Sequence, residues 1–142
     1  MIDTELLIRE ALSAKKTAYC KYSGFAVGAA LLCKNGTIYR GCNIENASYT
    51  PTNCAERTAF FKAVSEGVKE FEAIAIVGGM MNDKIKDYVY PCGVCRQVMT
   101  EFCNLETFRI IIAKTESDYQ EFILKEMLPY SFHLTEKEEK DA

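Results

Sequence analysis

Apolar positions near the start of the chain recur at helical spacing. Leu6, Leu7, Ala11, Ala14 and Ala18 lie close to a 3.6-residue period, which predicts a helix from about Asp3 to Ala18. Asp3 or Thr4 supplies the polar side chain that caps such a start. Phe25 to Cys33 is apolar or small at almost every position, so a strand buried on both faces is expected. Asn35-Gly36 follows, a strong signal for a two-residue hairpin loop. Thr37 to Asn43 is then the returning strand. Ile44 to Asn53 carries Asn, Ser, Thr and Pro and reads as a loop.

A second helix is expected from Cys54 to about Glu66, with Ala55, Ala59, Phe60, Ala63 and Val64 on its inner face and Gly67 ending it. Phe71 to Val77 reads as a buried strand and Gly78 to Tyr90 as an irregular connection. Pro91 opens a third helix to about Cys103, and Phe108 to Ala113 is another buried strand. Tyr119 to Ile123 fits a short edge strand or a helical turn. Leu124 to Leu128 looks helical until Pro129 stops it. Residues 1–134 are expected to form a single catalytic domain, and 135–142 a charged, frayed tail. Helix, hairpin, then two helix–strand alternations indicate an α/β sandwich with a mixed sheet.

Composition narrows the class. The chain has 142 residues, 49% hydrophobic and 26% charged, with a formal charge of -3. That suits one core of useful size. It offers no clustered basic footprint for nucleic acid, and no nucleic-acid partner is expected. No run approaches the roughly 20 apolar residues of a membrane helix. The opening Met1-Ile2-Asp3-Thr4-Glu5 lacks the basic start and apolar stretch of a secretion signal. A cytoplasmic protein with no membrane partner is therefore expected. Seven cysteines in that setting point to metal or catalysis instead of disulfides.

Cys92 and Cys95 stand three apart at a predicted helix start, on one face, a common spacing for two ligands of one tetrahedral metal. Cys54 also sits at a helix start, where the dipole favours the thiolate. Two such ends pointing together would place three thiolates around one ion. Cys20, Cys33, Cys42, Cys103 and His133 are the candidates for a fourth ligand, which would make the site structural. Without one, the site stays open to water and is catalytic. Glu56 favours the open site. Two positions beyond Cys54, it can reach a metal-bound water without being a ligand, and can take and return its proton. Its other use is to complement the helix dipole. Three thiolates leave the centre anionic, so a compensating cation is expected. Arg57 shares a face with Cys54, Arg96 adjoins Cys95, and Arg57 is the expected donor to a thiolate.

Several segments together resemble the small homotetrameric cytidine deaminases: VGAALL from Val27, GCNIENASY from Gly41, CAERTA from Cys54, AVSEG from Ala63 and PCGVCRQV from Pro91. The stretch Met127 to Phe132 matches the family's LLP-x-x-F. The resemblance implies a three-layer α-β-α sandwich with a mixed sheet of about five strands. It implies one zinc per subunit, held by Cys54, Cys92 and Cys95, with Glu56 as proton shuttle. Phe25 would stack on the base, and Asn43 and Glu45 would hydrogen-bond the ribose. Ala55 would face the pyrimidine, and Phe132 would reach a neighbouring subunit's site. The implied reaction is hydrolysis of cytidine and deoxycytidine in pyrimidine salvage. Val94, Tyr90 and a longer, more charged connection from Gly79 to Tyr88 depart from the family's habit. Deamination of another aminated pyrimidine, a polynucleotide editor, a structural zinc domain and a Cys-x-x-Cys redox protein are the competing readings.

Overall fold

The computed structural model describes residues 2–134. The tail expected over 135–142 lies outside the described residues. Helix α1 spans Thr4–Lys15 and starts where Asp3 accepts a hydrogen bond from Leu6 N at 3.0 Å. It is shorter than its periodicity predicts. From Lys16 to Ala18 the backbone N–H groups bond carbonyls three residues back, so the apolar spacing continues in a tighter turn.

Strands β1 (Phe25–Cys33) and β2 (Ile38–Cys42) form the predicted antiparallel hairpin. Its loop has three residues, Lys34 to Gly36, and not two. Gly36 N donates to Cys33 O at 3.0 Å, and Cys33 N donates to Thr37 O at 2.9 Å. A two-residue type I′ loop needs positive φ at both central positions. Only Gly36 takes it, at φ 94°, while Asn35 uses its side chain to accept from Thr37 N.

Helix α2 (Ala55–Ser65) carries the chain to β3 (Phe71–Met80). That strand runs past its predicted end because Gly78, Gly79 and Met80 still pair with Val27, Ala26 and Phe25. Helix α3 (Gly93–Phe102) begins two residues after Pro91 and leads to β4 (Arg109–Ala113). The ambiguous Tyr119–Ile123 segment is strand β5, followed by the short helix α4, Leu124–Met127. The strand order is β2-β1-β3-β4-β5, with only β3 and β4 parallel. The crossover through α2 does return the chain in the direction of β2, but β1 lies between them.

The pleat divides the core in two. Ala30, Ala73, Ala75, Val77 and Ile111 pack against Leu7, Ile8 and Ala11 of α1. On the other face Leu31, Ile74, Ile76, Ile110 and Ile112 meet Phe60 of α2, Met99 of α3 and Leu124 of α4. The result is a three-layer α-β-α sandwich. Gly41 lets α2 sit close on β2: a Cβ there would lie 2.3 Å from Ala55 O and 2.6 Å from Ala59 N. No helix of the described residues is long and apolar enough to cross a membrane.

Candidate active site

Two helix starts face each other. Cys54 is the N-cap of α2 in extended conformation, and Cys92 is the N-cap of α3. Cys95, one turn into α3, donates its backbone N–H to Cys92 Sγ at 3.4 Å. The Cys54 and Cys92 sulfurs are 3.7 Å apart, and those of Cys92 and Cys95 are 3.5 Å apart. All three lie within 4.8 Å of one another. A tetrahedral ion with bonds of about 2.3 Å to sulfur holds its ligands about 3.8 Å apart, so this thiol set fits zinc. All seven cysteines are free.

Among the described residues no fourth Cys, His, Asp or Glu joins the group. Cys20 and Cys33 are buried elsewhere, and Cys42 pairs with Thr17. Cys103 ends α3, and His133 shares a hydrogen bond with Ser131. A tetrahedral ion held by these three thiols alone would keep a fourth position for solvent or substrate.

The electrostatics single out Cys54 and Glu56. The Cys54 thiol is pulled down to about 5, first by hydrogen bonding with Cys95 and then by Arg57 and Cys92, against the opposing effect of burial. Cys95, which supplies that bond and is itself buried, is pushed up. Arg57 Nη2 donates to Cys54 Sγ at 3.3 Å, and its buried Nε has no hydrogen-bond partner. Arg96 does something else: it donates to the carbonyls of Pro91 and Met127. The Glu56 carboxyl is buried and pushed up to about 7 by desolvation, with the charge of Cys54 adding to the effect. Its own backbone N–H and Arg57 act the other way.

The other predicted residues differ in burial and in what holds them. Ala55 is buried in the first turn of α2. Phe25, 37% exposed, starts β1 on the pleat face shared with Val27 and Ala29, the α2 side. The Asn43 amide is held by the β1 backbone: Oδ1 accepts from Val27 N at 2.8 Å and Nδ2 donates to Phe25 O at 2.9 Å. Glu45 accepts from the backbone N–H groups of Tyr22 and Ser23, each at 3.1 Å, and from the Ser23 hydroxyl. These bonds, the hydroxyl first, hold its carboxyl below the usual range. Phe132 is 68% exposed.

Sequence reasoning missed the loop around Ser23. It closes a hollow of about 330 Å³ with Tyr22, Glu45, Asn46, Tyr49 and Thr52. The break in apolar periodicity at Lys21 to Gly24 was its one signal. It also missed Lys15, which is buried and donates from Nζ to Met80 O at 3.0 Å. The departures from family habit have local uses. Tyr90 bonds Gln120, Val94 is exposed, and the long connection folds Ile85 and Val89 onto Gly79 and Gly78.

An α-β-α sandwich that converges two helix starts on three free thiols, with a buried carboxyl beside them, defines a metal-binding enzyme. The family model described as "Cytidine and deoxycytidylate deaminase zinc-binding region" matches residues 1–111. The cytidine deaminase of Sporosarcina psychrophila is 50% identical over 131 residues, covering 92% of each chain. That of Halalkalibacterium halodurans is also 50% identical over 131 residues, 92% of this chain and 95% of its own. A crystal structure of cytidine deaminase from Burkholderia pseudomallei aligns with a TM-score of 0.82 at 41% identity. It covers 93% of this chain and all of that one. The chain belongs to the cytidine and deoxycytidylate deaminase family and is a deaminase.

Proposed function

We propose that this chain hydrolyses cytidine and 2′-deoxycytidine to uridine and 2′-deoxyuridine, releasing ammonia, as a step of pyrimidine salvage. The observation that carries the reading is the open three-thiol cluster beside the buried Glu56. Zinc, one per chain on Cys54, Cys92 and Cys95, would supply the Lewis acidity that makes water a nucleophile near neutral pH.

Glu56 removes a proton from the attacking water and delivers it to N3 of the base. It then carries a proton to the departing amine. A carboxyl whose affinity for protons sits near 7 suits both tasks, because neither form is scarce at neutral pH. Arg57 draws charge from the Cys54 sulfur and so offsets the anionic ligand set. Phe25 stacks on the base and Ala55 faces the pyrimidine.

Asn43 and Glu45 bind ribose hydroxyls. Each keeps capacity for at least one more bond: the amide has a second N–H, and the carboxylate has a lone pair beyond the three in use. Both side chains are half-buried, and a polar pair that bound substrate covers discriminates against a substrate that leaves it unpartnered. Phe132 completes the site of a neighbouring subunit in a homotetramer. Its exposure, with that of Leu134 and Tyr49, supports that placement. Seven free thiols support a reducing, cytoplasmic setting.

The test is ultraviolet absorbance of purified protein mixed with cytidine or deoxycytidine, with zinc measured on the same sample. Loss of the cytidine band with about one zinc per chain is expected. Zinc without turnover on either nucleoside would move the reading to another aminated pyrimidine.

A further inference from the structure

Two neighbouring side chains of α3 reach from the thiol-bearing turn to the C-terminal segment. Arg96 donates from Nε to Pro91 O at 2.7 Å and from Nη1 to Met127 O at 2.9 Å. One planar guanidinium thus spans the residue before Cys92 and the last residue of α4. Gln97 donates from Nε2 to Phe132 O at 3.0 Å. Between these anchors lies Tyr130, in the left-handed region at φ 57°, with its ring wholly exposed. A non-glycine residue keeps that conformation only where its surroundings impose it. A ring in solvent imposes nothing, so the turn is held from its two ends.

We propose that Arg96 and Gln97 are positioning residues that couple metal loading of the Cys92 turn to the placement of Leu128–Phe132. The inference rests on the zinc reading above. Closing the Cys92–Cys95 turn on an ion fixes the Pro91 carbonyl. The guanidinium is then fixed on that side and presents its other N–H to Met127 O in one geometry. Gln97, on the same helix, fixes the far end. By linkage, the factor by which zinc orders the segment equals the factor by which the segment's contacts strengthen zinc binding.

Amide hydrogen exchange of the whole chain, with and without zinc, reads this coupling at Leu128, Tyr130, Ser131 and Phe132. Chelator competition reads zinc affinity in the wild type, Arg96→Lys and Gln97→Leu. Zinc should slow exchange of those amides about tenfold in the wild type. Both variants should bind zinc several-fold more weakly and lose most of the slowing, although lysine keeps the charge. Gln97→Leu, one residue further from the thiols, keeps the test usable if Arg96→Lys folds poorly. Zinc binding with unchanged exchange across the segment overturns the coupling alone, as do variants with wild-type affinity and wild-type slowing. No zinc binding by the wild type overturns the zinc reading and the coupling together.

Discussion

Glu56 is kept at a cost that depends on pH. Its folded-state affinity for protons lies near 7, against an ordinary 4.5. Between those values the folded metal-free chain holds a proton that the unfolded chain has released. Stability therefore falls as pH rises through that window. Glu56→Gln removes the loss. Thermal melts of the metal-free protein should show little difference near pH 5 and a more stable variant near pH 8, by roughly 2–4 kcal/mol. The same change should lower turnover roughly 10²–10⁴-fold while zinc stays bound. Near-normal turnover would remove Glu56 from the mechanism. Arg57 acts on the neighbouring sulfur. In metal-free Arg57→Gln, Cys54 should titrate roughly one pH unit higher by thiolate absorbance, yet stay below an ordinary thiol because Cys95 still bonds to it. The pH–rate profile of the loaded enzyme should shift too, and an unshifted profile would leave Arg57 a packing role only.

At the scale of elements, the site depends on how closely α2 lies on β2. The contact at Gly41 admits no Cβ, and the two nearest atoms it would meet are backbone atoms of the first turns of α2. Gly41→Ala must push that end of α2 outward, carrying Cys54 and Glu56 with it. A stability loss of roughly 1–3 kcal/mol is expected in denaturant titration, with weaker zinc binding. Unchanged zinc affinity would mean that the helix start adjusts without moving its thiol. The hairpin shows how local chemistry bends a prediction. Asn-Gly marked the turn, but Asn35 kept negative φ and spent its side chain on Thr37 N, so Gly36 alone went left-handed and the loop gained a residue.

On the scale of the whole molecule, Phe132 connects one chain's surface to the proposed neighbouring site. Phe132→Ala should raise KM for cytidine roughly tenfold, with a smaller effect on kcat. Co-expression with Glu56→Gln provides the sharper test. In the proposed tetramer a mixed assembly would contain sites with Glu56 from one chain and Phe132 from another, so its turnover should exceed the mean of the two parents. Turnover at that mean would confine Phe132 to its own subunit.

Much was legible in the order of residues because the relevant forces are local. Periodicity at 3.6 residues marks α1 and α2, an unbroken apolar run marks β1, and the Cys-x-x-Cys pair on one helix face needs no tertiary contact to be read. Glu56 and Arg57 follow from their offsets to Cys54. The strands' mixed directions were expected, but not that β1 separates β2 from β3, since strand order is settled by which apolar faces find each other. Extra pairing beyond Val77 likewise required β1 alongside. Pairings across long separations were hidden for the same reason: Asn43 on the β1 backbone, Glu45 on the Tyr22–Ser23 loop, Lys15 under Met80, Arg96 on Met127. Most of the elements, the thiols and the carboxyl could be read from residue order, because spacing along a helix or strand sets which side chains share a face. That two helix starts meet with their sulfurs 3.7 Å apart, and which polar groups satisfy each buried donor, follows from packing between segments far apart in the chain.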